Sequence, residues 1–226
     1  KASNGNTLLH TAVRDKNNME LVKLLIKKGA NVNAKNKVKL DYPLYSMDKI
    51  KPPSKELDKW LKKYKGPFYL SDKLDGISAL LVYRDNNEIG LYTRGTATEG
   101  LDISFLLKYI TGIPTPDKIK KYMKDNKVKS NKNMIAFRGE LLMKKSTFKK
   151  KYCKDKKNER SIVAGIVNSI NVDPMTAKDL SLVIYEVVDP FKTIKKQYKI
   201  IKALGLKKVY HKKFEELSFE ILSEHY

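Results

Sequence analysis

Cysteine is nearly missing from this chain of 226 residues, which holds one, Cys153. A lone thiol excludes an internal disulfide and a four-cysteine zinc site, and it makes a reducing, intracellular setting the expectation. Long hydrophobic runs are missing as well. No apolar stretch approaches the roughly 20 residues of a membrane-spanning helix, and no secretory signal is visible. Acidic residues are few, 25 against 47 basic ones, so the net charge is +22. Such an excess attracts polyanions, and dispersed lysines suit phosphate contact better than base reading. Arginine is the most telling shortage. Only Arg14, Arg84, Arg94, Arg138 and Arg160 are present among the 47 cations. Where lysine serves nearly everywhere, a retained arginine marks a need for the planar guanidinium fork that grips phosphate or carboxylate.

What is present suffices for a core, since 41% of the residues are hydrophobic. The length fits one large domain or two smaller ones. The first part of the chain reads as a separate helical unit. Thr7-Leu8-Leu9-His10-Thr11-Ala12 follows a turn signal, and Met19, Leu21, Val22, Leu24, Leu25 and Ile26 give a second helix its apolar face. Gly29 ends that helix, and Gly29-Ala30-Asn31-Val32-Asn33 closes the unit. This pattern resembles an ankyrin repeat, which implies a protein-binding role for residues 1–37 and a structural turn role for His10.

From residue 38 onward the pattern is mixed. Ser54 is placed to cap a helix carrying Leu57, Trp60, Leu61 and Tyr64, whose aromatic rings are expected in the core. Thr115-Pro116 starts another helix, and Gly205 ends the one that carries Ile194, Tyr198, Ile201 and Leu204. Two apolar runs, Pro67–Leu70 and Ile77–Tyr83, flank Ser71-Asp72-Lys73-Leu74-Asp75-Gly76. They read as two strands meeting at an Asp-Gly turn, and a second hairpin is expected through Asp85-Asn86-Asn87. The strand after it runs into Thr93-Arg94-Gly95 and then Thr98-Glu99-Gly100-Leu101-Asp102.

Lys73-Leu74-Asp75-Gly76, with those two segments downstream, resembles the adenylation domain of NAD-dependent DNA ligases. Pro43-Leu44-Tyr45-Ser46-Met47-Asp48 is similar to the segment preceding the nucleophile in that family. Further on, Arg138-Gly139-Glu140, Asn158-Glu159-Arg160-Ser161-Ile162-Val163-Ala164-Gly165 and Leu182-Val183-Ile184-Tyr185 resemble later motifs in the family's order. The resemblance spans about residues 40–226. It implies an α+β fold, nucleotidyltransferase-like, with antiparallel sheets and outer helices behind a short all-α repeat. Residues 38–226 would be the adenylation domain.

The resemblance also implies roles. Lys73 would attack the α-phosphate of NAD and become a lysyl-AMP, which requires a neutral amine from a group whose ordinary pKa is near 10.4. A partly buried position and nearby cations are expected to supply that. Asp75 would orient the amine, and Gly76 would let the backbone approach the nucleotide. Arg94 and Arg160 would hold phosphates, and Glu140 would accept from ribose hydroxyls or help site Mg2+. Ser46 and Met47 would line the adenine end. Arg138 is expected to be structural. The implied partners are NAD and nicked duplex DNA in repair or replication, in the cytoplasm, a nucleoid or a viral factory.

Two positions depart from the family pattern. Ser71 stands where a glutamate is usual, and Asn168 where an arginine is usual. The nicotinamide-binding domain and the later lysine motifs of the family are not visible in these residues, so the adenylation domain is expected to be truncated. An ATP-dependent polynucleotide ligase, or a degenerate ligase domain used for binding, stays open at this level.

Overall fold

The computed structural model describes residues 19–28, 37–51, 53–130, 135–169 and 171–224. The ankyrin-like turn Thr7–Ala12 with His10 and the closing Gly29–Asn33 lie outside the described residues, as does His225. In chain order come α1 (Met19–Lys27), β1 (Lys37–Lys39), α2 (Lys55–Lys63), β2 (Phe68–Ser71), β3 (Ile77–Tyr83), β4 (Ile89–Thr93) and β5 (Glu99–Leu101). A 3-10 turn at Ser104–Tyr109 leads to α3 (Pro116–Asp125), β6 (Ile135–Met143), α4 (Lys145–Lys151) and α5 (Glu159–Asn168). The remainder is α6 (Pro174–Ala177), β7 (Leu180–Asp189), α7 (Ile194–Leu204), β8 (His211–Phe214) and α8 (Phe219–Ser223).

The helix ends follow the local chemistry of the chain. The Ser54 side chain accepts from the Leu57 N–H, Thr115 from that of Lys118, and Asn158 from that of Ser161. Gly205 closes α7 at φ 76, a left-handed geometry that side chains with a Cβ resist. The three sheets among the described residues pair antiparallel: four strands in the order β4-β3-β6-β7, and two ribbons, β1-β5 and β2-β8. The α+β architecture expected above is thus borne out, as is the β3–β4 hairpin.

Strand alternation divides the four-stranded sheet into two faces. Ala79, Leu81 and Tyr83 of β3 join Phe137 and Leu141 of β6 in the main core. Ile162, Val163, Ile166 and Val167 of α5 and Ile200, Ile201 and Leu204 of α7 cover them. Each fully buried Leu, Ile, Val or Phe among them contributes roughly 1.5–3 kcal/mol. On the opposite face Leu80, Val82 and Ala136 pack under Leu40, Tyr42 and Leu44, which belong to an irregular strap at 40–48. The strap is fastened by Leu40 N–H to Thr98 O at 2.9 Å and Leu44 N–H to Ala97 O at 2.8 Å. The Tyr42 hydroxyl donates to buried Asp189, and Arg84 pairs with Asp41.

Two expectations are corrected. β2 and β3 do not form a hairpin. β2 pairs with β8, from Phe68 opposite Phe214 to Ser71 opposite His211, whereas β3 lies between β4 and β6. An Asp-Gly run marks a change of direction but carries no information about which strand will be the neighbour. Tyr64 is also not a core residue: it caps α2, is 44% exposed, and its ring lies tilted against that of Trp60 at 5.0 Å.

Candidate active site

The strap covers only part of its sheet face and leaves the Ser78–Glu140 pair of β3 and β6 beside the Lys73 loop. Gly76 ends that loop. Its N–H donates to Glu140 Oε1 at 3.1 Å, which ties the loop to β6. A Cβ at Gly76 would lie 2.2 Å from Leu141 O, so the approach of the two backbones requires glycine here. Burial pushes the Glu140 carboxyl above its usual range. The Gly76 N–H, the Arg160 charge and the Ser78 hydroxyl oppose that rise, while Asp75 adds to it.

α5 delivers the other side of the loop. With Asn158 capping the helix, Arg160 falls in its first turn and donates through Nη1 to Asp75 Oδ1 at 2.8 Å. Both side chains are more than half exposed, so the pair adds little to stability and is free to exchange partners. Three segments far apart in sequence therefore meet around Lys73. The nucleophile candidate itself is exposed, which corrects the partly buried position expected for it. The cause is the strand pairing: β2 ends in a short two-stranded ribbon, and Lys73–Gly76 crosses from that ribbon to the main sheet instead of extending a core strand.

At the strap side, the Arg94 N–H donates to Ser78 O at 3.0 Å and its Nη1 to Ser46 Oγ at 3.0 Å. The adjoining Gly95 has φ +51, and a Cβ there would come within 2.0 Å of Glu99 O. Ser46 thus sits with Arg94, but Met47 is 74% exposed and its side chain lies out in solvent. Arg138, expected to be structural, joins this cluster. Its Nη2 donates to Tyr45 O at 2.7 Å, its Nη1 lies 3.7 Å from Glu186, and its guanidinium lies over the Tyr185 ring at 5.8 Å. Its buried Nε has no hydrogen-bond partner.

Ser78 lies outside the matched motifs, and Tyr185, at the end of the Leu182–Tyr185 motif, was given no role there. Their hydroxyls are 3.1 Å apart, beside Glu140. The signal for Ser78, Arg138 and Glu140 was present in the alternation of β3 and β6, which puts all three on the face away from the main core. Tyr185 reaches the cluster from β7, where the register to β6 shifts between Arg138 and Gly139. Lys73, Arg94 and Arg160, all exposed, thus stand on segments tied to the strip that carries a half-buried carboxylate and a phenol ring. Such groups can take phosphate at the cations and hydroxyl donors at the carboxylate. Among the described residues no group of three His, Cys, Asp or Glu is placed to hold a metal ion. No helix among them is long and apolar enough to cross a membrane.

The family model described as NAD-dependent DNA ligase adenylation domain matches residues 32–224, and the ankyrin repeat model matches residues 4–37. A DNA ligase of Acanthamoeba polyphaga mimivirus is 41% identical over 202 residues, covering 88% of this chain and 30% of that protein. A DNA ligase of Thermosipho africanus (strain TCF52B) is 29% identical over 189 residues, covering 76% of this chain and 26% of that protein. The chain spans less than a third of the length of either relative.

Proposed function

Because the chain belongs to the family of NAD-dependent DNA ligase adenylation domains, we propose that it carries out the first step of nick sealing, adenylation of Lys73. The Lys73 Nζ lone pair attacks the α-phosphorus of NAD. The P–O bond to nicotinamide mononucleotide breaks as the P–N bond forms, and the amine's proton is released to solvent. The nucleotide serves the reaction as a substrate, and the residues present fit it. Arg94 and Arg160 are exposed guanidinium groups that would grip the phosphates and stabilise developing charge. Glu140, half-buried and ionisable, would accept from the ribose hydroxyls. Arg138, with an unsatisfied Nε, and Tyr185 line the same face. Asp75 would release Arg160 to the phosphates and steer the Lys73 amine.

Since Lys73 is exposed, water would be excluded from its amine by the seated substrate together with the strap that bears Ser46. A magnesium ion would be held mainly by the phosphates, with at most one or two carboxylates such as Glu140. The observation that carries the proposal is the pair of bonds, Gly76 to Glu140 and Arg160 to Asp75, that gathers three separated motifs around one lysine. We assign the adenylation domain to 38–226 and an ankyrin-type protein-binding segment to 1–37, in an intracellular protein whose eventual partner is nicked duplex DNA.

The test is to incubate the protein with magnesium and either NAD or ATP, then measure intact mass and map any AMP adduct. An adduct on Lys73 from NAD is expected. An adduct from ATP alone would transfer the chain to ATP-dependent chemistry, and no adduct from either would overturn the proposal.

A further inference from the structure

We propose that the lysine ridge formed by α4 and the turn after it is the phosphate track along which a strand of duplex DNA runs to the Lys73 loop. The inference rests on the ligase function proposed above and names the surface by which DNA reaches that site. Residues 144–157 hold eight lysines and one acidic residue, Asp155. Lysine makes up 42 of the 226 residues of the chain, so it is about three times denser here than on average.

The inward contacts of this segment are few and specific. Phe148 enters the main core, Lys151 Nζ bonds both oxygens of Asp179 at 2.9 Å, and the Tyr152 hydroxyl donates to Asp179 at 2.7 Å. These contacts fix the orientation of α4. Lys149 and Lys150 on the helix and Lys154, Lys156 and Lys157 in the turn are exposed, and none has an ion pair with another described residue. Helix stability does not explain them. The helix has no acidic residue in its first turn and no side-chain cap bond, and Lys145 and Lys149 stand at the i,i+4 spacing where like charges repel. A bound polyanion would relieve that repulsion.

The ridge is also bracketed by the site. β6 sets Glu140 in place and ends at Met143, so at about 3.4 Å per residue Lys144 begins within roughly 14 Å of the Glu140 backbone. At the other end the turn runs directly into Asn158 and Arg160, which meets Asp75. The occupant follows from charge. Duplex DNA presents a phosphate about every 1.7 Å of axis, and lysines are point charges that position phosphates without reading bases. Sealing a nick in any sequence needs a track of this kind.

The experiment uses the whole 226-residue chain. Binding to a nicked duplex is followed by fluorescence anisotropy across a salt series. One variant carries Lys149→Gln, Lys150→Gln, Lys154→Gln and Lys156→Gln, and a control carries Lys195→Gln, Lys196→Gln, Lys199→Gln and Lys202→Gln on α7, an equal loss of charge. The ridge variant is expected to bind at least about tenfold more weakly near 0.1 M salt, with a log–log salt slope less steep by about 3 to 4, close to 0.9 for each phosphate no longer neutralised. The control is expected to stay within about twofold of the parent chain. Equal losses in both variants, no loss in the ridge variant, or no duplex binding by the parent chain would each overturn the track. If the four-site variant does not melt cooperatively, Lys150→Gln with Lys156→Gln replaces it, with half the slope change expected. AMP transfer from NAD to Lys73 is measured on the same samples. Its absence from the parent chain would remove the ligase function while the binding comparison still decides the ridge.

Discussion

The two faces of the four-stranded sheet are built from alternate residues of the same strands and serve opposite ends. On one, Ala79, Leu81, Phe137 and Leu141 meet the apolar sides of α5 and α7 and exclude water. On the other, Leu80, Val82 and Ala136 pack under the strap, and the strip beyond it carries Ser78, Arg138 and Glu140. One residue's step along a strand separates a group that holds the fold from a group left beside the Lys73 loop. The polar face therefore accepts costs that the apolar face avoids: a desolvated carboxylate and an unpartnered Arg138 Nε.

This contrast can be broken by substitution on either side. The largest effect is expected from Lys73→Ala, which removes the AMP adduct altogether. Because Lys73 is exposed, its unfolding free energy is expected to stay within about 0.5 kcal/mol of the parent by urea titration. A large stability loss would contradict the division of labour. Phe137→Ala, on the apolar face, should cost about 3–5 kcal/mol in the same titration, a large share of the roughly 5–15 kcal/mol typical of a folded domain.

Gly76→Ala tests the point where the faces are coupled. A methyl group forced against Leu141 O should cost about 1–3 kcal/mol and, by displacing the N–H from Glu140, slow adduct formation as well. An effect on stability alone would uncouple the loop from the floor of the site.

The smallest effect is a pH dependence at Glu140. Burial raises its pKa in the fold, so folding binds this proton more tightly. Its contribution favours the fold below the ordinary carboxylate range and is lost as pH rises through the raised value. Glu140→Gln should therefore raise the melting midpoint at neutral pH and flatten the slope between acid and neutral pH. An unchanged slope would mean that the carboxylate is not desolvated.

Most elements were legible in the sequence where the cause is local. Ser54, Thr115 and Asn158 announce helix starts because a cap bond spans three residues. Gly205 announces a stop for an equally local reason, and the Asn86 region a hairpin. The candidate site was legible as an ordered set of motifs, and Asp75, Gly76, Glu140 and Arg160 are brought together. Met47 lies out in solvent, whereas Arg138 holds Tyr45 O and Glu186 as a structural arginine does, on the face that also carries Glu140. The first outcome is not encoded locally, because it depends on where the strap ends; the second follows from the alternation of β6, which puts Arg138 on the face of Glu140.

By itself the sequence determined the two-residue alternation that sorts core from site, the helix boundaries, the family and the excess of positive charge. Each depends on composition or on spacing along the chain. Tertiary structure alone decided that β2 leaves β3 for β8, that Lys73 consequently stands exposed on a crossing between sheets, and that Tyr185 and Ser78 flank Glu140. These depend on pairings between distant segments, such as Ser71 with His211 and Ser78 with Glu140, and a pairing is the outcome of competition among all available strand edges, which no local stretch of residues records.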